Sequence, residues 1–306
     1  MWLRAESEKD LPPARPPVRP AWMVHGFLIA LLGGVLPSVS AQWASPAEEV
    51  PLGHRAYAAV SALERNGGVT GYPRGYFCGY QTRTRGEFAL AARHAARGLR
   101  RQFPLDSYSY SYDWRRWDAY LNRLPPLVDE FGPELTGLGE DVPSLKLEIG
   151  LTRFDPLKVS TAIRSGADLR GRSLNGITTL MLAAATGDLD LAQRALRSGV
   201  AANARDHSGA TAMHYAAAFG RPGVVELLAR AGGEVDARHR TGHTPLTWAA
   251  LGGQPSALPA LLARGADPNA RGQYGYSALE SVKFLAGEGR RVQLVRRLLI
   301  QAGARE

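Results

Sequence analysis

The chain has 306 residues, of which 45% are apolar and 21% charged, which is ordinary for a globular protein with room for two modest domains. The formal net charge is +9, but 33 of the 37 basic residues are arginines, scattered over predicted helix ends and turns. Since nucleic-acid binding needs a continuous basic stripe, this composition argues against a nucleic-acid partner. A single cysteine, Cys78, excludes an internal disulfide framework.

The first 41 residues have the composition of an export signal. Charge and proline dominate residues 1–21, ten apolar residues follow at 27–36, and the small residues Val39 and Ala41 stand at positions −3 and −1 of a cleavage site after Ala41. Because a membrane-spanning helix needs about 20 apolar residues, we expect cleavage and a location in the cell envelope or periplasm. An uncleaved membrane anchor over residues 21–39 is the alternative.

Residues 42–101 contain a second pattern, in which an apolar helical stretch over 50–60 is followed by Gly71-Tyr72-Pro73 and then by Thr84-Arg85-Gly86-Glu87. Thr84 can cap the following helix, and Glu87, three residues on, can reach back to it. The pattern resembles a single S-layer homology domain, which implies a small helical domain.

In that family the domain binds peptidoglycan or a secondary cell-wall polysaccharide, and the arginine of the box is among the ligand contacts. The resemblance therefore implies that Arg85 contacts the polymer, since guanidinium suits carboxylate-bearing or ketal-bearing sugars. Matching positions add further candidates to the polymer site: Thr84, Glu87, His54 and Tyr72. Arg55 and Arg74 replace residues that are usually tryptophan and acidic in the family, which leaves polymer binding open.

Residues 102–144 are predicted to form a linker. Tyr108, Tyr110 and Tyr112 alternate with serines and would share one face of an extended segment, either stacking on sugar rings or covering a seam between domains. Residues 127–149 resemble the connector that follows single S-layer homology domains in bacterial outer-membrane proteins. Their 3/4-spaced apolar residues predict a coiled-coil seam and a homotrimer: Val128, Phe131, Leu135, Leu138, Val142, Leu145 and Ile149. Glycines and prolines interrupt that seam, which favours a domain boundary here as the other interpretation.

Residues 145–306 repeat with a period of 33. Glycines mark the period in three series, each followed by similar residues: Gly176, Gly209, Gly242 and Gly275; Gly187, Gly220 and Gly253; Gly166 and Gly199. The T-P-L-H-like segments after the first series, such as Thr244-Pro245-Leu246, resemble the ankyrin repeat, which has a turn and two antiparallel helices in each unit. Full units begin near Ser173, Asp206 and His239, the last begins at Gly272 with an insertion of five residues around 286–291, and an incomplete unit ends at Gly166.

Each mark has a physical role. The threonines can cap the first helix of a unit, and the glycines at 187, 220 and 253, like those at 199 and 265, suit a left-handed residue at a helix end. One unit cannot bury its apolar face alone, so stacking must supply the core. The predicted fold is all-α: a solenoid of about four to five units after a small helical domain.

No catalytic, metal-binding or cofactor-binding motif is present, so we predict a protein that is not an enzyme. The resemblance implies that turn tips and first-helix faces form a groove for a protein partner. The groove candidates are His207, Ser208, Phe219, Arg240, Thr241, His243, Leu251, Gln273, Tyr274 and Tyr276. Tyr274 and Tyr276 flank an exposed turn and are the strongest candidates, because aromatic residues and arginine anchor protein interfaces.

Together these features predict an exported envelope protein that is held near the wall by its first domain and binds a protein partner through its repeats. Two alternatives remain: an accessory or inhibitor of a periplasmic enzyme, and a structural trimeric spacer.

Overall fold

The computed structural model describes residues 49–65, 77, 82–102, 114–283 and 289–305, and side chains within these ranges except at 99–102 and 114–120. Its first part contains a short antiparallel pair, β1 (Glu49–Val50) with β2 (Arg83–Thr84), and four helices. These helices are α1 (Arg55–Arg65), α2 (Arg85–Gln102), α3 (Trp114–Glu130) and α4 (Gly132–Gly137). The signal, Tyr72, Arg74 and the three alternating tyrosines lie outside the described residues.

Phe88 is at the centre of the first core. Its ring lies 4.8 Å from the Tyr57 ring, 5.1 Å from the Phe77 ring and 5.4 Å from the Phe131 ring, all centroid to centroid. The contact with Phe131 is stacked and joins α2 to the segment between α3 and α4. Aromatic contacts of this type hold helices from both sides of the 103–113 segment in one core.

The described part of the segment expected to be a linker, residues 114–144, is mostly helical and belongs to this core. Val128, Phe131 and Leu135 are fully buried and pack with α1 and α2 of the same chain. Pro133 and Pro143 occupy first-turn positions of their helices, where no backbone hydrogen bond is lost, so they begin helices instead of breaking them. The apolar residues that predicted a coiled-coil seam are thus used inside this chain.

Helix α5 (Val142–Thr152) is shared between two cores. Val142, Leu145 and Ile149 pack into the first core, whereas Leu147 and Leu151 pack into the core of the repeats. A helix with apolar residues on two faces must be covered on both of them. Helices α1–α4 therefore cover the end of the stack that a terminal capping repeat would otherwise have to shield.

The repeats form five helical hairpins, which confirms the all-α solenoid. Helix α5 pairs with α6 (Pro156–Arg164), and four further pairs follow. They are α7 (Thr179–Thr186) with α8 (Leu189–Arg197), α9 (Ala212–Ala218) with α10 (Pro222–Arg230), α11 (Pro245–Leu251) with α12 (Leu258–Ala263), and α13 (Ala278–Val282) with α14 (Arg290–Gln301). The first helices of the next three pairs each carry two adjacent alanines that are fully buried: Ala183-Ala184, Ala216-Ala217 and Ala249-Ala250. The glycines expected at the helix ends have positive φ angles.

Phe154 reveals that the incomplete first unit follows the same period. It lies between α5 and α6, 33 residues before Gly187, and adopts φ 57°, in the region where the next three units place glycine: Gly187, Gly220 and Gly253. Its ring stacks on Tyr215 at 5.8 Å. A left-handed conformation costs a non-glycine residue about 1 kcal/mol, which this packing offsets.

At Phe154, the usual order of stability, in which an alanine variant is more stable than a glycine variant, should be reversed. Both Phe154→Ala and Phe154→Gly lose the ring, but only the alanine variant keeps the strain, so we expect it to be less stable than the glycine variant by about 1 kcal/mol. Urea unfolding of both variants measures the difference. The same two substitutions at Thr186, in a regular helix, should show alanine as the more stable residue. Equal stability of the two Phe154 variants would contradict the assignment of strain.

No helix among the described residues is both long and apolar enough to cross a bilayer.

Candidate functional site

Four turns, here called fingers 1 to 4, project at the start of each complete unit: Ser173–Thr178, Asp206–Thr211, His239–Thr244 and Gly272–Ser277. In each finger the first residue donates its N–H to the carbonyl oxygen four residues on, as Asp206 does to Ala210 at 2.9 Å. The fourth residue is a glycine with positive φ, which closes the turn. A Thr or Ser then begins the first helix of the unit, as predicted.

Backbone hydrogen bonds join each finger to the next. His207 donates its N–H to the Asn175 carbonyl oxygen at 3.0 Å, Arg240 to Ser208 at 3.0 Å, and Gln273 to Thr241 at 2.8 Å. The glycine of each of these three acceptor fingers also lies against the next finger, since a Cβ at Gly242 would stand 2.8 Å from the Gln273 nitrogen. The fingers therefore form a continuous ladder along one edge of the solenoid.

Four arginines at the 33-residue period reinforce this ladder. Arg172, Arg205 and Arg238 each donate from Nη1 to the carbonyl oxygen of the next arginine in the series, at 3.2, 2.6 and 2.8 Å, and the series ends at Arg271. Sequence analysis treated these arginines as scattered charge, whereas the structure aligns them. Their regular bonding explains part of the arginine excess as a structural feature of the stack.

Removing one inner rung should cost about 1–2 kcal/mol of stability. Arg238→Ala loses the hydrogen bonds to the carbonyl oxygens of Gly242 and Arg271. Arg230→Ala is the matched control, since it breaks only an exposed pair with Glu226 and should cost about 0.5 kcal/mol or less. Chemical denaturation of both variants measures the difference, and equal effects would show that the ladder does not stabilise the stack.

The structure places the groove candidates at two sites. Most lie in fingers 2, 3 and 4, whereas Phe219 and Leu251 lie at the other ends of α9 and α11, about 10 Å away by helix rise. His207, Ser208, Thr241 and His243 are half-buried within the finger ladder, and Arg240 donates to the His207 carbonyl oxygen at 2.7 Å. Gln273, Tyr274 and Tyr276 are exposed on finger 4.

The first-helix face between these two sites is already filled. Leu182, Tyr215 and Trp248 occupy the same position in successive first helices, and each is at most 8% exposed. Tyr215 packs edge-on against Trp248 at 6.0 Å and stacks on Phe154. The chain's own aromatic residues thus occupy the middle of the expected groove, which leaves the finger edge as the accessible part.

A buried histidine cluster lies beneath fingers 2 and 3. The His214 ring is 5.1 Å from the Trp248 ring and 6.4 Å from the His239 ring. Nδ1 of His214 accepts the Thr211 N–H at 3.2 Å, and its Nε2 lies 3.2 Å from the His243 carbonyl oxygen, which fixes the neutral form with the proton on Nε2. Burial lowers the pKa of His214 to about 3 and that of His239 to about 4.

The residues predicted to contact a wall polymer have internal partners. Arg85 is only 1% exposed, and its Nε is bonded to the buried Glu134 carboxylate. Its Nη2 donates to the Glu130 carbonyl oxygen at 2.9 Å, and its guanidinium carbon lies 5.0 Å from the Phe131 ring centroid. This corrects the expected geometry: Arg85 presents no guanidinium to a polymer at the surface.

The neighbouring candidates are engaged in the same way. Glu87 accepts the Thr84 N–H at 2.8 Å, so the predicted capping box forms. His54 lies 3.1 Å from the Glu130 carboxylate. Tyr72 lies outside the described residues. Thr84 and Glu87 bond to each other at the start of α2, and His54 joins the residue before α1 to the end of α3.

Within the described ranges, no three His, Cys, Asp or Glu residues lie close enough together to hold a metal ion. Sequence reasoning missed two features of the repeat region. The arginine ladder could have been found from the period, whereas Phe154 gave no signal because it replaces the glycine that marks the other units.

Comparison with known proteins addresses the repeat region. The family model described as Ankyrin repeats (3 copies) matches residues 158–239 and 180–272. Comparison with curated proteins gives no match. The model match and the stacked turn-and-hairpin units agree: residues 158–272 of this chain are ankyrin repeats.

Proposed function

We propose that this protein binds another protein through the finger edge of its ankyrin repeats and has no catalytic role. The observation that carries the proposal is the exposure of Tyr274 (68%) and Tyr276 (44%) on finger 4 of a stack whose other fingers are largely packed together. Exposed tyrosines on a rigid turn lose little conformational entropy on binding and can anchor an interface.

Site-specific photo-crosslinking in living cells tests this function. A photoreactive phenylalanine analogue at Tyr274 should give a discrete crosslinked protein species, because the side chain would lie in the interface. The same analogue at Leu157, which is 72% exposed on α6, is the matched control and should give none. Crosslinks of equal intensity at both positions, or none at Tyr274, would contradict binding at the finger edge.

The cellular location is a further part of the proposal, namely export to the cell envelope. It is supported by the charged, apolar and small-residue order of residues 1–41. Cell fractionation followed by N-terminal sequencing provides the test, with a mature chain beginning at Gln42 as the expected result. A chain that keeps its first residues and stays in the cytosol would overturn it.

Association with peptidoglycan or a wall polysaccharide is the finest part of the proposal and rests on the resemblance of residues 42–101 alone. The full mature chain should sediment with purified sacculi. A chain that stays in the supernatant would remove this part and leave protein binding standing.

An accessory or inhibitor of a periplasmic enzyme is one form that the protein partner could take. Identification of the crosslinked species, followed by assay of its activity with and without the chain, distinguishes this form from a structural partner.

A further inference from the structure

Among the residues that the structure describes, finger 4 leaves the repeating contact surface of the ladder open. In each of the first three fingers, the carbonyl oxygen of the third residue accepts an N–H from the next finger: Asn175, Ser208 and Thr241. The residue in register in finger 4 is Tyr274, and its carbonyl oxygen accepts no hydrogen bond from any residue that the structure describes. Finger 4 therefore repeats the acceptor side of this joint without a donor among those residues.

The glycine surface of the joint is open at the same place. A Cβ at Gly176, Gly209 or Gly242 would stand 2.8–3.1 Å from atoms of the next finger, whereas no described residue lies within 4 Å of that position at Gly275. Exposure follows the same order: Thr241 is half-buried, and Tyr274 in register with it is 68% exposed. The three contacts between successive fingers thus show what fits against finger 4, namely a tight turn that donates one backbone N–H.

A second copy of this chain does not supply the complement through finger 1. The N–H in register with the donors at His207, Arg240 and Gln273 is that of Leu174, which donates to Thr152 Oγ1 at 3.2 Å within its own chain. In addition, α1–α4 cover that end of the stack through α5. Head-to-tail stacking of copies would have to break both contacts.

Charge indicates which kind of turn fits. Residues 271–306 contain seven basic and three acidic residues, so they carry 7 − 3 = +4 of the net charge of +9. Arg297 is exposed on α14 and Arg305 is exposed just after it, where the Arg305 N–H donates to Asn269 Oδ1, two residues before Arg271. Arg271 is also exposed beside finger 4, but its charge is paired with the Glu280 carboxylate at 2.8 Å. This positive charge would attract an acidic segment to the last unit of the solenoid and repel a basic one.

We propose that finger 4 is a docking edge for an acidic turn of a protein partner, which extends the finger ladder by donating a backbone N–H to the Tyr274 carbonyl oxygen and packing on Gly275. This inference rests on the proposed protein-binding function and specifies where and how the partner binds. The bonds that define it are made by backbone atoms, so Tyr274 and the basic residues supply selectivity around a geometry set by the chain itself.

A designed turn peptide tests the docking edge on the full chain. The probe is a cyclic peptide that copies finger 2, Asp206–Thr211, with two added aspartates, and binding is followed by NMR on isotope-labelled protein. Amide shift changes should centre on Gln273, Tyr274 and Gly275. The control peptide is methylated at the nitrogen that corresponds to His207, which removes the donated N–H, and should bind about tenfold more weakly or worse.

Protein variants separate the contributions. Tyr274→Ala should weaken binding of the peptide about fivefold to tenfold, whereas Thr241→Ala, at the position in register on finger 3, should leave it unchanged. A version of the peptide with lysines in place of the added aspartates should bind more weakly at low salt, and the difference should shrink at high salt.

Each remaining outcome overturns the inference. Equal affinity of the methylated and unmethylated peptides shows that the backbone donor is not used, and shift changes centred on Phe219 and Leu251 place binding elsewhere. Absence of peptide binding also removes the docking edge, while crosslinking from Tyr274 in cells would still support the proposed function. Concentration-dependent self-association that Tyr274→Ala abolishes would identify a second copy as the occupant instead.

Discussion

Replacing Arg85 by alanine is expected to lower the free energy of unfolding by about 3–5 kcal/mol. The substitution leaves the Glu134 carboxylate, which is 7% exposed, buried without its cation. It also removes the hydrogen bond to the Glu130 carbonyl oxygen and the contact with the Phe131 ring. Urea denaturation followed by circular dichroism measures the loss.

Two further variants make this prediction specific. Arg55→Ala breaks an ion pair with Glu130 that is half-exposed on the arginine side, and it should cost about 1 kcal/mol or less. The double variant Arg85→Met with Glu134→Leu removes both charges and should recover most of the loss, because no buried charge is left unpaired. If Arg85→Ala cost no more than Arg55→Ala, Arg85 would be available for another role, such as polymer binding.

Acidification from pH 7 to pH 5 should destabilise the repeat stack by about 2 kcal/mol through His214 alone, with a further loss through His239. The pKa of His214 is lowered to about 3 by burial, whereas an unfolded histidine has a pKa of about 6.5. Below pH 6.5 the unfolded chain therefore binds more protons than the folded one, and stability falls with pH by up to about 1.4 kcal/mol per unit until the folded pKa is reached. The measurement is the urea midpoint across this pH range, which lies above most carboxylate titrations.

The hydrogen bonds of the two histidines independently predict the same loss of stability at low pH. Nδ1 of His214 accepts the Thr211 N–H, and Nδ1 of His239 accepts the Thr241 N–H at 3.2 Å, so a proton on either nitrogen breaks a backbone contact. Around the pair, Arg205, Arg240 and His243 oppose a positive charge, whereas Asp206 favours one at His239. His214→Gln should flatten the pH dependence, and His207→Gln, on the edge of finger 2, should leave it steep. A wild-type stability that is constant from pH 7 to pH 5 would contradict this account.

The repeat region was predictable because its marks are local. Glycines such as Gly187 and Gly265 end helices through their own conformational freedom. Thr178 and Thr244 cap the helices that follow them by accepting the N–H three residues on, so a periodic sequence implies a periodic structure. Phe154 shows the limit of that reasoning. Its left-handed conformation is stabilised by Tyr215, two units along the chain, and no local pattern carries that information.

The region before the repeats was harder to predict because its contacts are distant in sequence. Glycine and proline at 132, 133 and 143 indicated a linker, yet the two prolines fill first-turn positions of helices held in place by α1 and α2. Arg85 in turn was assigned to a surface by analogy, whereas its partner Glu134 lies 49 residues away. Whether such an arginine faces solvent or a carboxylate depends on tertiary packing alone.

The candidate site was predictable as a set of positions and not as a surface. The period located fingers 2 to 4 and their exposed residues, including Tyr274 and Tyr276. It did not show that aromatic side chains on first helices close the middle of the groove, since Tyr215 and Trp248 sit at a position that pattern alone leaves open.

The arginine ladder has a consequence for how such a chain can change in length. The guanidinium groups of Arg172, Arg205 and Arg238 each donate to a main-chain oxygen of the next unit, at 2.6–3.2 Å, so this contact does not depend on which side chain that unit carries there. A duplicated stretch of 33 residues would therefore bring its own arginine and a carbonyl oxygen that accepts a hydrogen bond from the arginine of the preceding unit. Whole units can therefore be added to or removed from the interior of this stack at little cost in stability. Helix α5 is tied to a second core and so fixes which unit is the first.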